Sequence, residues 1–201
     1  MVDKPEGWTS HDVVAKIRGE LGKEVKVGHG GTLDPFATGV LLILIGKARK
    51  RFEEIKQWEK EYVMEIKLGV ETDTGDRTGK VVKQEQVGQI KEKELRQALK
   101  AFAGGYEQTV PRYAAVKVKG RRMYKLARAG KKIKQPKRQV EIKAIELLGV
   151  KGDVLKVRVV CGGGTYMRQL AMDIGEKLGL PAHAKELRRI RVGEEKVEKG
   201  L

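Results

Sequence analysis

The 201 residues of this chain carry a formal net charge of +16 at pH 7, one cysteine and three histidines. That length suits a single domain with a sizeable core, and so large a positive excess favours a polyanion, nucleic acid ahead of an anionic membrane. The sequence shows no signal peptide, no apolar run long enough to cross a bilayer and no basic amphipathic helix rich in aromatics, so a reducing cytoplasm and no membrane partner are expected; Cys161, His11, His29 and His183 are too scattered for a metal site, and no metal is expected.

In chain order, Ser10 is placed to cap a helix with Val14, Ile17 and Leu21 at helical spacing and Gly22 at its end. The next loop contains Gly28-His29-Gly30-Gly31-Thr32-Leu33-Asp34-Pro35. Its glycines permit close approach of a substrate backbone, and Asp34 is a candidate for chemistry, although an Asp-Pro pair also suits a plain turn. Residues 40–45 form an unbroken apolar run before Gly46, as in a strand buried on both faces, and residues 47–58 read as a basic helix. Alternation then predicts a strand with Tyr62, Met64, Ile66 and Leu68 on its apolar face.

A turn-rich link over residues 72–79, containing Asp76, leads to Lys80-Val81-Val82 and to a helix with Leu95, Ala98, Leu99 and Phe102 on one face. Residues 140–150 and 154–161 read as two more strands, the second ended by Gly162-Gly163-Gly164. Thr165 is placed to cap a helix carrying Met167, Leu170, Ala171, Ile174 and Leu178, with Arg168 in its first turn. Strands and helices in mixed order, without regular alternation, predict an α+β fold.

From Arg112 to Arg138 there are twelve Lys or Arg residues and no Asp or Glu. Within it, Arg121-Arg122-Met123-Tyr124-Lys125-Leu126-Ala127-Arg128 reads as a short helix with basic and apolar faces, flanked by Gly120 and Gly130. The run is either a solvated face or a flap that grips phosphates, which would supply affinity and register but no sequence readout. Aromatics make up only 5% of the chain, which disfavours a broad stacking platform and leaves shape recognition of folded RNA with a few extruded bases.

The loop His29-Gly30-Gly31-Thr32-Leu33-Asp34-Pro35 resembles the signature of the TruB family of pseudouridine synthases, and further blocks follow in order. Lys4-Pro5-Glu6-Gly7-Trp8-Thr9-Ser10 is similar to the family's opening motif, Lys60-Glu61-Tyr62 to its Lys-x-Tyr motif, and Leu68-Gly69 with Thr72-Asp73-Thr74-Gly75-Asp76 to the next block. Gln108-Thr109, Tyr113 and Lys117-Val118-Lys119-Gly120-Arg121-Arg122-Met123-Tyr124 resemble its RNA-gripping thumb. Gly164-Thr165-Tyr166-Met167-Arg168 resembles its arginine motif, and Leu187-Arg188-Arg189-Ile190-Arg191-Val192-Gly193 closes the core. Two departures stand out: the thumb reads Val110-Pro111-Arg112-Tyr113-Ala114-Ala115, where the family commonly has a second proline and a serine after the tyrosine, and the chain stops soon after Val197, where the family usually continues into a PUA domain.

The resemblance implies a pseudouridine synthase catalytic core, with a mixed, largely antiparallel sheet flanked by helices. Residues 1–201 would form one catalytic domain with a thumb at about 106–138 and no C-terminal PUA domain. It implies isomerisation of the T-loop uridine of transfer RNA (position 55) after base flipping, by breaking N1–C1′, turning the base and joining C5 to the same carbon. No cofactor is needed. By resemblance Asp34 is the essential carboxylate, acting as nucleophile or as base on the ribose, and Arg168, for which a plain surface charge is the alternative reading, is the matching arginine that could pair with it through two hydrogen bonds.

Periodicity alone places Tyr62 in core packing; the resemblance makes it the residue that stacks on the uracil and helps remove the C5 proton. Asp76, Tyr166, Leu187 and Lys60 are implied around the pocket, and His29 is either a loop residue satisfied by backbone or a neighbour of the RNA. Arg121, Arg122, Tyr124, Lys125 and Arg128 are implied on the RNA. The partner expected is the T-arm of transfer RNA, with no obligatory protein partner and a monomeric state. Two alternatives stand beside this reading, a guide-RNA-dependent catalytic subunit and a non-catalytic RNA-folding module. A phosphate-binding kinase or GTPase loop does not, because no Gly-Lys-Ser/Thr follows the glycines.

Overall fold

The computed structural model describes residues 1–114, 116–118, 120–130 and 134–197, with the side chains of Lys117, Val118, Tyr124 and Arg128 left aside. The first half runs β1 (Val2–Lys4), α1 (Ser10–Leu21), β2 (Val27–His29), β3 (Thr38–Leu41), β4 (Ile43–Ile45), a 3-10 helix (Gly46–Arg51), α2 (Phe52–Gln57), β5 (Lys60–Leu68), β6 (Val70–Thr72), β7 (Val81–Gln84) and α3 (Glu92–Lys100). The second runs β8 (Gly104–Thr109), β9 (Lys117–Val118), β10 (Arg121–Arg122), α4 (Met123–Arg128), β11 (Lys137–Lys151), β12 (Val154–Cys161), α5 (Met167–Lys177), β13 (Ala182–Val192) and β14 (Glu195–Lys196).

The main sheet has the order β1-β3-β13-β5-β12-β11-β8, with β14 paired to β13. Every neighbouring pair in it is antiparallel except β13 with β3. This is the α+β, mostly antiparallel architecture expected from the sequence. The parallel pair requires a glycine: Gly39 has φ +103°, and a Cβ there would lie 2.1 Å from the carbonyl oxygen of Arg189, its partner on β13.

Alternation along β5 turns Tyr62, Met64, Ile66 and Leu68 onto one face, where they join Val157 and Val159 of β12, Leu95 and Leu99 of α3, and Leu170 and Ile174 of α5. Each such buried aliphatic side chain stabilises the fold by roughly 1.5–3 kcal/mol. The loop residues Leu33, Phe36 and Ala37 belong to the same cluster, so the core itself supports the segment around Asp34.

Several expectations are corrected. The apolar run 40–45 is two strands, because β3 joins the main sheet while β4 turns away at Leu42 to pair with β2. Residues 47–58 divide into the 3-10 helix and α2. Thr9, one residue before Ser10, caps α1 in a reciprocal box with Asp12, and of the three apolar positions foreseen only Val14 is buried. Thr165 does not cap α5: its hydroxyl donates to the Gly162 carbonyl, and the N-cap is Tyr166. Residues 121–122 are a strand, so the short helix starts only at Met123.

Candidate active site

Asp34 lies between β2 and β3 on a loop held from three sides. The Ser10 hydroxyl, freed from capping, donates to the Leu33 carbonyl at 3.1 Å and accepts from the Leu33 N–H at 2.8 Å. From β13, Arg189 donates through Nε to the Val40 carbonyl (2.8 Å), through Nη2 to Gly31 (3.2 Å) and through Nη1 to Thr32 (3.4 Å). From β1, the buried Lys4 ammonium donates to the carbonyls of Trp8 (2.7 Å), Pro5 (2.9 Å) and Pro35 (3.3 Å). Burial pulls the Lys4 pKa down, and the charge of Asp34 opposes that.

Arg168 reaches this loop from the first turn of α5. Its Nε donates to Asp34 Oδ2 at 2.8 Å and its Nη2 to Asp34 Oδ1 at 3.2 Å, a two-point pairing. Nη1 donates to the Thr74 carbonyl at 2.7 Å and lies 3.7 Å from Asp76 Oδ2. The Arg168 side chain is 6% exposed, whereas that of Asp34 remains 35% exposed. The buried cation therefore orients a carboxylate whose outer side is open to a substrate.

Asp76 is the buried brace of the turn behind Arg168. Its Oδ1 accepts from the Thr78 N–H (2.9 Å), the Thr78 hydroxyl (2.5 Å) and the Thr74 hydroxyl (3.0 Å). The turn is tied to β13 by the Arg77 N–H on the Ala184 carbonyl and the Ala184 N–H on the Gly75 carbonyl.

Tyr62 is the cross-strand partner of Arg189 and packs in the cluster that contains Leu33 and Leu187. Burial pushes its phenol up, which the charge of Arg189 and a hydrogen bond with it oppose, and Asp34 raises it further. Tyr166 is also held above its ordinary value, by burial first, with Arg138 and Arg168 opposing and Asp34 adding. Burial thus works against ionisation of both phenols. Leu187 sits opposite Met64 on the β13–β5 ladder.

His29 ends β2 with a buried Nδ1 that has no hydrogen-bond partner among the described residues, so backbone does not satisfy that nitrogen. Burial, and the charges of Arg189 and His11, pull its pKa down.

Lys60 does not join the group. Its ammonium donates to the carbonyls of Lys56 (2.7 Å), Trp58 (2.5 Å) and Ile55 (3.3 Å), closing the C-terminal end of α2. Arg121, Arg122 and Lys125 are exposed on β10 and α4, as phosphate contacts require; the side chains of Tyr124 and Arg128 lie outside the described residues. Val110, Ala114 and Met123 form a small apolar cluster, against which Val116 and Tyr166 pack. Ser10, Gln108 and Arg189 bear on the site without having been singled out as site residues. No helix of the described residues is long and apolar enough to cross a membrane.

Residues 18–167 match the model of the TruB family pseudouridylate synthase N-terminal domain. The chain is 45% identical over 193 residues to a tRNA pseudouridine synthase B of Syntrophobacter fumaroxidans, covering 96% of this chain and 63% of the relative. It is 46% identical over 198 residues to a tRNA pseudouridine synthase B of Thermotoga maritima, covering 98% and 63%. The chain thus spans a little under two thirds of the length of these relatives. Among solved structures it is similar to one from the crystal structure of a Cbf5-Nop10-Gar1 complex, with a TM-score of 0.72, 34% identity, and coverage of 96% of this chain and 49% of that one.

Proposed function

The chain belongs to the TruB family of pseudouridylate synthases, and from that premise we propose that it isomerises a uridine of transfer RNA to pseudouridine at the T-loop position, acting without a guide RNA. The observation that carries the reading is the two-point pairing of Arg168 with a half-open Asp34. The names of the two bacterial relatives and the charge of +16 support transfer RNA as the substrate.

The N1–C1′ bond of the flipped uridine breaks, the freed uracil turns, C5 bonds to C1′, and the C5 proton leaves as N1 regains one. No electrons enter or depart. Asp34 acts at the sugar, as nucleophile on C1′ or as base on the ribose, and Arg168 holds it and balances its charge. Tyr62 stacks on the base and assists removal of the C5 proton; Leu187 and Tyr166 wall the pocket, Asp76 braces Arg168, and His29 lies beside the RNA. Residues 1–201 act as one catalytic domain, and its thumb, about 106–138, grips phosphates with Arg121, Arg122 and Lys125.

A second reading, a catalytic subunit that needs partner proteins and a guide RNA, draws on the likeness to the chain solved with Nop10 and Gar1. Purified protein incubated with a bare T-arm hairpin separates the two. Pseudouridine in the hairpin is expected; hairpin that is bound but never converted, unless partners and guide are added, would favour the second.

A further inference from the structure

The angle at which Arg168 meets Asp34 depends on where α5 begins, and that point is gripped from the base of the thumb. Tyr166, the residue before α5, donates its N–H to Gln108 Oε1 at 2.8 Å, and its carbonyl accepts from Gln108 Nε2 at 3.1 Å. The same carbonyl accepts the N–H of Leu170 (3.0 Å), an early bond of the helix, whose N-cap has no side-chain cap of its own. Gln108 Nε2 also donates to the Tyr106 hydroxyl at 2.6 Å, and that hydroxyl donates to Asp173 Oδ2 at 3.0 Å, further along α5. Gln108 is 1% exposed, and both ends of its amide are engaged. A primary amide can donate and accept from one planar group, which this geometry demands.

Gln108 is also the second-last residue of β8, and the thumb departs from the end of that strand. The thumb's base is closed there by the Val110 N–H on the Pro136 carbonyl (2.9 Å) and by Gln135 Nε2 on the Val110 carbonyl (2.9 Å). The Tyr166 side chain packs against the thumb's own apolar cluster of Val110, Ala114 and Met123. Backbone and side chain of Tyr166 are therefore both held from the thumb, two residues before Arg168.

We infer that Gln108 is a positioning residue for the isomerisation: it locks the base of the thumb to the start of α5 and so sets the Arg168–Asp34 geometry. This rests on the function proposed above. A clamp that merely stabilised an edge strand would lower the melting temperature without a specific effect on the chemical step.

The test compares wild type, Gln108→Ala and Gln108→Glu in single-turnover pseudouridine formation at saturating T-arm hairpin, with hairpin affinity and thermal melts measured in parallel. Gln108→Glu retains size and the acceptor for the Tyr166 N–H but loses the donor, so it separates clamp from packing and serves where the alanine variant fails to fold. The expected result is a fall of at least about tenfold in the saturated rate of the folded variants, with affinity changed less than about threefold. In an Arg168→Lys background the same Gln108 substitution should cost less than about threefold, because both act on one pairing. Wild-type rates in the folded variants, or effects that multiply fully with Arg168→Lys, overturn the inference alone. A wild-type protein that forms no pseudouridine overturns the functional reading and the inference with it.

Discussion

Tyr62 and Arg189 face each other as direct partners on the β5–β13 ladder, both buried, and the Arg189 guanidinium continues past the tyrosine to the carbonyls of Val40, Gly31 and Thr32. One cation thus joins the strand of the tyrosine to the loop of the acid. Lysine would keep the charge but lose the planar fork that serves three acceptors. Arg189→Lys is expected to lower unfolding free energy by about 2–3 kcal/mol and to slow turnover. Urea denaturation checks the first, and an unchanged midpoint would contradict the role.

At Arg168 the same substitution bears directly on the chemistry. An ammonium cannot bond both oxygens of Asp34 and the Thr74 carbonyl in the observed geometry. Arg168→Lys is expected to reduce turnover at saturating RNA by about a hundredfold or more, while RNA affinity stays near wild type. Near-normal turnover would remove Arg168 from the mechanism.

Ser10 holds both backbone groups of Leu33, the residue before Asp34. Ser10→Ala leaves a buried N–H without its acceptor, a loss of about 1–3 kcal/mol. Faster hydrogen exchange at the Leu33 amide than in wild type is the expected sign, and unchanged protection there would argue against it.

For Lys60, burial and then the charge of Arg189 draw the ammonium down to about 8, with Cys161 opposing. The unfolded chain returns it to its ordinary value of 10.5. Between those values the unfolded chain binds a proton that the folded chain releases, so this site adds stability as pH rises from about 8 to about 10.5. The stability of wild type relative to Lys60→Met is therefore expected to increase from about pH 7.5 to about pH 10. A constant difference in urea unfolding across that range would show that Lys60 titrates normally.

What the sequence made legible follows from the reach of each signal. The alternation of Tyr62, Met64, Ile66 and Leu68 survives intact because β5 packs one face on α3 and α5. The strand β13 was hidden by its charges: Lys185 pairs with Glu65 and Arg191 with Glu61 across the ladder, and Arg189 is buried on carbonyls. Such long-range pairings leave no local period. The run 40–45 hid a change of sheet for the same reason, since two strands with different partners read as one apolar stretch.

At the site, the resemblance named Asp34, Tyr62 and Arg168, and the fold brings the first and third into contact and packs Tyr62 in the cluster that includes Leu33, the residue before Asp34. Lys60 read as a pocket residue because it shares a motif with Tyr62, and it shares that strand face too, but at the first position of β5 its ammonium is drawn onto the carbonyls of Ile55, Lys56 and Trp58 at the end of α2. Gln108 and Ser10 act through backbone groups of residues distant in sequence, a role that no residue type advertises.

The most direct measurement is to incubate an unmodified transfer RNA transcript with wild-type protein and with Asp34→Ala, and to map pseudouridine along the RNA. Product at the T-loop uridine with wild type and none with Asp34→Ala is the predicted result. Product formed equally by both proteins, or by neither, would contradict a mechanism centred on an arginine-held aspartate.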